Sequence, residues 1–518
     1  MITPHYTNTY SDTRGLSSEP LTFTQAIVKG IAPGGGLLVP LVIPKLSLDQ
    51  IAALAELPYA QQAATIYQSF GVDLAAEKIE ELMAQAYSEN FDTAEIIPLS
   101  TVAPDTHVLE LWHGPTSAFK DMALQCLPLF FSAAIDKLRE QDEAEEDFLI
   151  LVATSGDTGK AALDGFKNRE HTNIIVFYPH GGVSDVQLRQ MTTQRGDNVG
   201  VFGVEGNFDS CQTAVKGAFN DESFNELLAS EHGLRLSSAN SINWGRLMPQ
   251  IVYYISAYAK LVTSGDLLLG QPLDVCVPTG NFGNILAAWY AKDMGVPIGR
   301  LLCASNKNRV LTDFINTGTY DIRDREFVLT PSPSMDILIS SNLERQLFEL
   351  NGRDSDAIRG WMDDLRNQGC FRVDAQTFAA LRSVFCSDSV DNDESLQTIR
   401  EVYEQHEYLL DPHTAVAWKV AERLREENPV LVVSTAHWAK FGADVYRALN
   451  GIAAGAPLPA EVADLSGFEL NDLIARDYKA GCIPTPLAEL QSLPVRFSEV
   501  CSGSTEGVEA AVKSWLEQ

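Results

Sequence analysis

The stretch Phe148-Leu-Ile-Leu-Val-Ala153, followed at once by Thr154-Ser-Gly-Asp-Thr-Gly159, decides the fold class. A continuous apolar run of strand length leaves no face for water, as in a parallel sheet covered on both sides. A glycine-bearing turn then leads into the helix-like stretch Lys160 to Asn168. The same unit recurs along the chain. Ile174 to Tyr178 and Val199 to Val204 read as the next strands, and Leu273 to Val277, Arg300 to Ala304 and Val430 to Ser434 follow the pattern. Apolar strands separated by helical patterns predict an α/β protein built on parallel sheets. No internal repeat of solenoid or propeller length is visible.

Composition bounds the rest. The chain has 518 residues, of which 45% are hydrophobic and 21% charged, as in a globular protein. That length suggests about three domains at ~150 residues each. Lys and Arg number 38 against 69 Asp and Glu, a net charge of −31, which disfavours nucleic acid as a partner. Taken naively, it would also disfavour anionic substrates. The segment Met1 to Arg14 lacks an apolar signal core, and Met122 to Ile135 is too short to span a bilayer. Eight scattered cysteines without metal-type spacing predict buried thiols in a reducing compartment and no metal site. The expectation is a soluble, cytoplasmic protein. Arg139 to Asp147 carries six carboxylates and reads as a solvated loop or frayed helix end. Asp388 to Glu394 reads as an acidic mobile loop or a partner site, with the loop preferred.

Four junctions could carry chemistry. In Leu111-Trp-His-Gly-Pro-Thr-Ser-Ala-Phe-Lys-Asp121, a Gly-Pro turn places Lys120 where a loop enters a helix. The positive helix end would disfavour its ammonium, as a Schiff-base lysine requires, although an ordinary surface lysine fits the same pattern. Thr154 to Gly159 offers hydroxyls and a helix start to an anion, or simple capping. Pro278-Thr-Gly-Asn-Phe-Gly-Asn284 has two glycines three apart between a strand and a helix, which suits a single-phosphate cradle better than a dinucleotide fingerprint. Ser434-Thr-Ala-His-Trp-Ala-Lys-Phe441 begins at a strand end, where α/β sheets bind ligands; His437 by itself reads as a structural histidine. One lysine, a glycine loop for a monophosphate and hydroxyls for a carboxylate together describe pyridoxal phosphate on an α/β scaffold.

The motifs His113 to Asp121, Ala153 to Gly159, Ser238 to Asn243, Val277 to Gly283 and Thr435-Ala-His437, with Asp12 to Gly15 and Gly35 to Pro40, resemble those of the threonine synthase family of fold-type II pyridoxal-phosphate enzymes. The resemblance runs from about residue 6 to 450. It implies two parallel-sheet lobes and a mixed, mostly helical N-terminal subdomain. The expected division is an N-terminal subdomain at 1–95, a large cofactor-binding lobe at 96–144 and 235–518, and a small lobe at 145–234.

The resemblance also implies roles. Lys120 is the Schiff-base lysine and proton carrier. Gly280, Asn281, Phe282, Gly283 and Asn284 wrap the cofactor phosphate, and Thr435 meets the pyridine nitrogen. Thr154, Ser155, Gly156, Asp157 and Thr158 take the substrate carboxylate, with Asp157 near the ring hydroxyl. Asn240, Ser241 and Arg246 take the substrate phosphate. The implied reaction converts O-phosphohomoserine and water to L-threonine and phosphate, in a monomer or small homo-oligomer. A phospholyase giving 2-oxobutyrate and ammonia needs the same motifs, and a non-catalytic metabolite-binding protein would keep the loops without the lysine chemistry. Three residues depart from the family pattern: Asn284 stands where aspartate is expected, Trp438 where proline is usual, and Pro128 should kink or restart the helix after Lys120.

Overall fold

The computed structural model describes residues 6–17, 19–143, 145–479 and 481–517. Strand Asp147–Ala153 shows why the stretch from Phe148 to Ala153 is apolar throughout. Leu149 and Leu151 enter one buried cluster while Ile150 and Val152 enter another on the opposite face. Each fully buried branched side chain contributes ~1.5–3 kcal/mol, so no position is left for a polar residue. This strand lies within a five-stranded parallel sheet ordered Val500–Cys501, Val199–Val204, Thr172–Pro179, Asp147–Ala153, Leu234–Ser237. A second sheet has six strands ordered Phe385–Ser389, Ile298–Ser305, Leu273–Pro278, Val430–Ser434, Thr106–Glu110, Leu99–Ala103. All its pairings are parallel except the last, where Leu99–Ala103 runs antiparallel at the edge.

The N-terminal unit joins a small antiparallel sheet, Leu21–Thr22, Thr9–Asp12 and Leu38–Pro40, to helices Phe23–Lys29, Leu48–Leu54, Tyr59–Ser69 and Ala76–Ala86. It packs on helix Trp244–Ser264, which is buried along most of its length. Trp244 centres the junction, with Tyr10 at 5.6 Å and Tyr290 at 5.3 Å between ring centroids. One continuous core therefore holds the N-terminal unit against the floor of both sheets.

Several expectations change. The small lobe is not confined to 145–234. Leu234–Ser237 pairs with Asp147–Ala153, and Val500–Cys501 pairs with Val199–Val204. Helix Thr505–Leu516 follows, burying Val508 and Val512 in one cluster with Cys211 and Val215 of helix Phe208–Asn220. The stretch 500–516 thus belongs to the small lobe, because its apolar face is spent there. Asp388 to Glu394 is not a loop: it ends strand Phe385–Ser389 and opens helix Asn392–His406, whose N-cap Asp391 accepts from Glu394 N at 2.9 Å. Arg423 pairs with both Asp388 and Glu394. Around Arg139 to Asp147 the acids are partly neutralised, Asp147 by Arg139 at 2.6 Å and Glu146 by Arg235 at 2.7 Å; Ala144 lies outside the described residues. Pro128 restarts the helix: Asp121–Leu124 ends and Leu127–Glu140 begins with proline in its first turn, where the missing N–H costs nothing. Among the described residues no helix is long and apolar enough to cross a membrane, and no group of His, Cys, Asp and Glu could hold a metal ion.

Candidate active site

Two loops from the six-stranded sheet are stitched together under the cleft. Phe119 N donates to Thr435 O at 2.8 Å, and His437 N donates to Ser117 O at 3.2 Å. The Asp121 carboxylate clamps the first loop by accepting from Thr116 N at 2.8 Å and Thr116 Oγ1 at 2.7 Å. Gly114 has to be glycine, since a Cβ there would sit 2.5 Å from that of Asp121. Lys120 and Thr435 are thereby fixed relative to one another.

Lys120 is 7% exposed. Its Nζ donates to Ser334 Oγ at 3.1 Å and to Asp157 Oδ2 at 3.4 Å. Burial pushes its pKa below the ordinary lysine value; Asp157 opposes this, and the positive charges of Lys440 and Arg246 add to it. The helix end proposed from sequence is a minor influence, because Asp121–Leu124 is only four residues long. Asp157 is equally buried, but here burial loses. Lys440 and Lys120 hold its carboxylate far below the usual range. Gln187 Nε2 also donates to Asp157 Oδ1, at 2.9 Å.

The glycine loop and its neighbours fit a phosphate. Helix Gly283–Met294 begins after Phe282, whose φ of 63° is left-handed, and has no side-chain cap, so its first-turn N–H groups remain for an anion. A Cβ on Gly280 would come within 2.7 Å of Ser334 O, so bare backbone is required for the loop to close on the segment that carries Ser334. Asn284 Oδ1 accepts from Tyr253 and Tyr254, while its buried Nδ2 has no partner. Asparagine in place of aspartate therefore adds a donor where an anion would sit. Arg246 is 3% exposed, its Nη1 donates to Ala239 O at 2.6 Å, and its Nε is unpaired. Among the described residues no carboxylate pairs with it. Burial alone lowers its pKa to about 10.

A cavity of about 480 Å3 brings these groups together. Lys120, Thr154, Ser155, Thr158, Asn240, Ser241, Arg246, Gly280, Asn281, Phe282, Gly283, Asn284 and Thr435 all line it. Gly156 and Asp157 do not: Gly156, at φ 133°, packs on Gln187, and Asp157 is turned toward Lys440 beneath Lys120. Thr154 Oγ1 accepts from Gly156 N and Gly159 N at 3.0 and 2.9 Å, shaping the loop as well as facing the cavity. His437 is structural: burial, helped by His113 and Lys440, lowers its pKa to about 3, and its Nδ1 accepts from Ala439 N at 3.1 Å. Trp438 packs away from the cavity with Phe441 and Ile474, so the departure from proline leaves the pocket untouched.

Sequence reasoning missed Ser334, His413 and Lys440. Ser334 and His413 line the cavity, and Ser334 N donates to His413 Nε2 at 3.2 Å. Their only local signal was the turn-rich run Pro331 to Ser334 and the Asp411-Pro-His413 helix start. Lys440 had a stronger one, a cation set among Trp438, Ala439 and Phe441.

A two-lobed α/β fold with a buried lysine facing an uncapped helix start across such a cavity defines a pyridoxal-phosphate-dependent enzyme of fold type II, and the family profile described as pyridoxal-phosphate dependent enzyme matches residues 104–436. Profiles described as threonine synthase N terminus and threonine synthase, C-terminal match residues 9–87 and 414–471. The chain belongs to the threonine synthase family. It is 38% identical over 491 residues to threonine synthase from Pseudomonas aeruginosa, covering 93% of this chain and 97% of that one. It is 44% identical over 437 residues to threonine synthase-like 1 from Homo sapiens, covering 83% of this chain; it spans only 58% of that relative's length. Among solved structures, pyridoxal-phosphate-bound threonine synthase from Brucella melitensis has 37% identity and a TM-score of 0.83, covering 98% of this chain and 99% of that one. The yeast threonine synthase has 31% identity and a TM-score of 0.85, covering 99% and 100%.

Proposed function

We propose that the chain converts O-phosphohomoserine and water to L-threonine and inorganic phosphate, the last step of threonine biosynthesis. One observation carries this reading: the cavity holds a buried amine, Lys120, together with two separate anion seats. The first-turn N–H groups at Gly283 and Asn284, with the unpaired Asn284 Nδ2, suit the cofactor phosphate. Arg246, a buried cation without a carboxylate, suits the phosphate that leaves the substrate.

Held by its phosphate at the first of these seats, pyridoxal phosphate would supply an electron sink that acidifies the substrate Cα–H. The work of the chain's own groups follows from their positions. Lys120, held as a poor ammonium by burial, takes and returns protons on one face of the substrate. Arg246 binds the substrate phosphate and stabilises the charge that grows on it as it departs. Ser155 and Thr158 offer hydroxyls, and the start of helix Asp157–Phe166 offers N–H groups, to the substrate carboxylate. The Thr435 hydroxyl, which lines the cavity and has no partner among the described residues, would offer a neutral hydrogen-bond donor to the ring nitrogen.

The test is product analysis with purified protein, pyridoxal phosphate and O-phosphohomoserine. Threonine and phosphate in equal amounts support the proposal. Formation of 2-oxobutyrate and ammonia replaces it with a phospholyase, and no phosphate release removes both.

A further inference from the structure

Lys440 has no part in the reaction as proposed above, yet its side chain is wholly buried. Its Nζ donates to Asp157 Oδ1 at 2.7 Å and to Thr116 O at 3.0 Å. An ammonium out of water is costly unless it is paired, and the only carboxylate it meets is shared. Asp157 Oδ2 accepts from Lys120 at 3.4 Å and from Ser334 Oγ at 3.2 Å. Two lysines therefore draw on one carboxylate.

No other element supplies a compensating acid within ion-pair distance of Lys120 among the described residues. Helix Trp244–Ser264 brings Arg246. Helix Pro412–Leu424 brings His413, whose Nε2 accepts from Ser334 N and whose Nδ1 donates to Asp411 at 2.8 Å. Asp121 is committed to Thr116, and Lys160 of helix Asp157–Phe166 pairs with Asp164 at 3.8 Å. His437, on the segment of Lys440 itself, is neutral.

Resting on the reading of Lys120 as the amine that moves protons, we propose that Lys440 is a positioning residue for the reaction: it holds Asp157 through Oδ1 and adds a like charge beneath Lys120, so that the Lys120 amine shares the carboxylate instead of owning it. The hydrogen bond to Thr116 O gives it a second function, tying the loop that carries Lys120 to the loop that carries Thr435. A lysine amine next to an undivided buried carboxylate would hold its proton and be slow to act as a base. With Lys440 in place, burial and two neighbouring cations outweigh the half-shared acid.

The experiment is competitive labelling of the full chain, before cofactor loading, with trace acetic anhydride across pH. Peptide mass spectrometry reads Lys120 and Lys440 separately. In the wild type, Lys120 should become reactive below the ordinary lysine range; a midpoint at or above that range overturns the assignment. In Lys440→Met and in Lys440→Gln, which keeps hydrogen-bond donors but not the charge, the Lys120 curve should move up by about one unit or more. The pH profile of kcat in the loaded enzyme should move the same way, with KM little changed. An unmoved Lys120 curve in the folded variants overturns the proposal, as does a shift in Lys440→Met alone. Since the labelling needs no substrate, a chain that failed to make threonine would still give an answer. If neither variant folds, the wild-type Lys120 curve decides, since a midpoint at or above the ordinary lysine value overturns the proposal.

Discussion

Replacing Arg246 with methionine should weaken substrate binding while strengthening the fold. The guanidinium is 3% exposed, and burial lowers its pKa from 12.5 to about 10. At ~1.4 kcal/mol per unit, keeping it charged in the folded state costs ~3 kcal/mol. Methionine fills much the same space without that cost. Losing the bond from Nη1 to Ala239 O takes back ~1–2 kcal/mol, so the net gain is ~1–2 kcal/mol. The melting temperature of the variant holoenzyme in phosphate-free buffer should therefore rise by a degree or more. Inorganic phosphate titrated into the wild-type holoenzyme should stabilise it by ~2.7 kcal/mol at a hundredfold excess over Kd, while the variant gains little. The same loss of two charge-assisted bonds, ~3 kcal/mol, should raise KM for O-phosphohomoserine by roughly a hundredfold. A variant that melts lower without phosphate, yet responds to phosphate like the wild type, would refute the reasoning on both counts.

Other perturbations test the neighbouring parts. Lys120→Ala should cut threonine formation by roughly a thousandfold or more, and borohydride should no longer fix the cofactor to the chain; turnover at the wild-type rate would remove Lys120 from its role. Gly280→Ala drives a methyl group to 2.7 Å from Ser334 O. Its affinity for pyridoxal phosphate, read by absorbance titration, should fall by about tenfold, and an unchanged Kd would mean the loop is free to yield. His113→Asn tests a charged pair outside the pocket. Burial opposes the imidazolium, but Asp92 at 2.5 Å and Glu110 at 3.0 Å outweigh it and raise its pKa to about 9. Because this lies above the unfolded value, its stabilisation, ~2 kcal/mol after allowing for partial exposure, is present in full below about pH 6.5 and lost as the pH rises through 9. Denaturation of both proteins at about pH 6 and about pH 10 should give a difference only at the lower pH; equal differences would count against the ion pair.

What could be read in advance followed the apolar runs. Asp147–Ala153, Leu273–Pro278 and Val430–Ser434 announce themselves because both faces are buried and hydrophobic residues fill all but Asp274, paired with Arg300, and the terminal Asp147 and Ser434. Thr106–Glu110 is just as buried, but Thr106, His107 and Glu110 are polar, and their partners (Arg425, Thr101 and Tyr408) are distant in sequence or on another strand. No local pattern marks it. The C-terminal strand Val500–Cys501 is two residues long and gives no periodic signal at all. The site divides along the same line. Lys120 and the glycine loop sit in motifs whose meaning is local, a turn or a helix start with a short conspicuous spacing, whereas Arg246 is implied only by the family resemblance. Ser334, His413 and Lys440 acquire theirs only when Asp157 is brought between them, and contacts at such separations leave no trace in composition or spacing.

The five-stranded sheet also sets an order of events during synthesis. Four of its five strands are complete once Ser237 has emerged, yet the edge beside Val199–Val204 waits for Val500, and the apolar side of helix Phe208–Asn220 waits for Val508 and Val512. Throughout translation of the intervening chain that edge exposes unpaired backbone groups and that helix exposes an uncovered greasy strip, both of which invite pairing with a neighbouring nascent chain. The last helix is thus a closing clasp for an element made much earlier, and a ribosome that stalls between the two leaves an adhesive half-finished product.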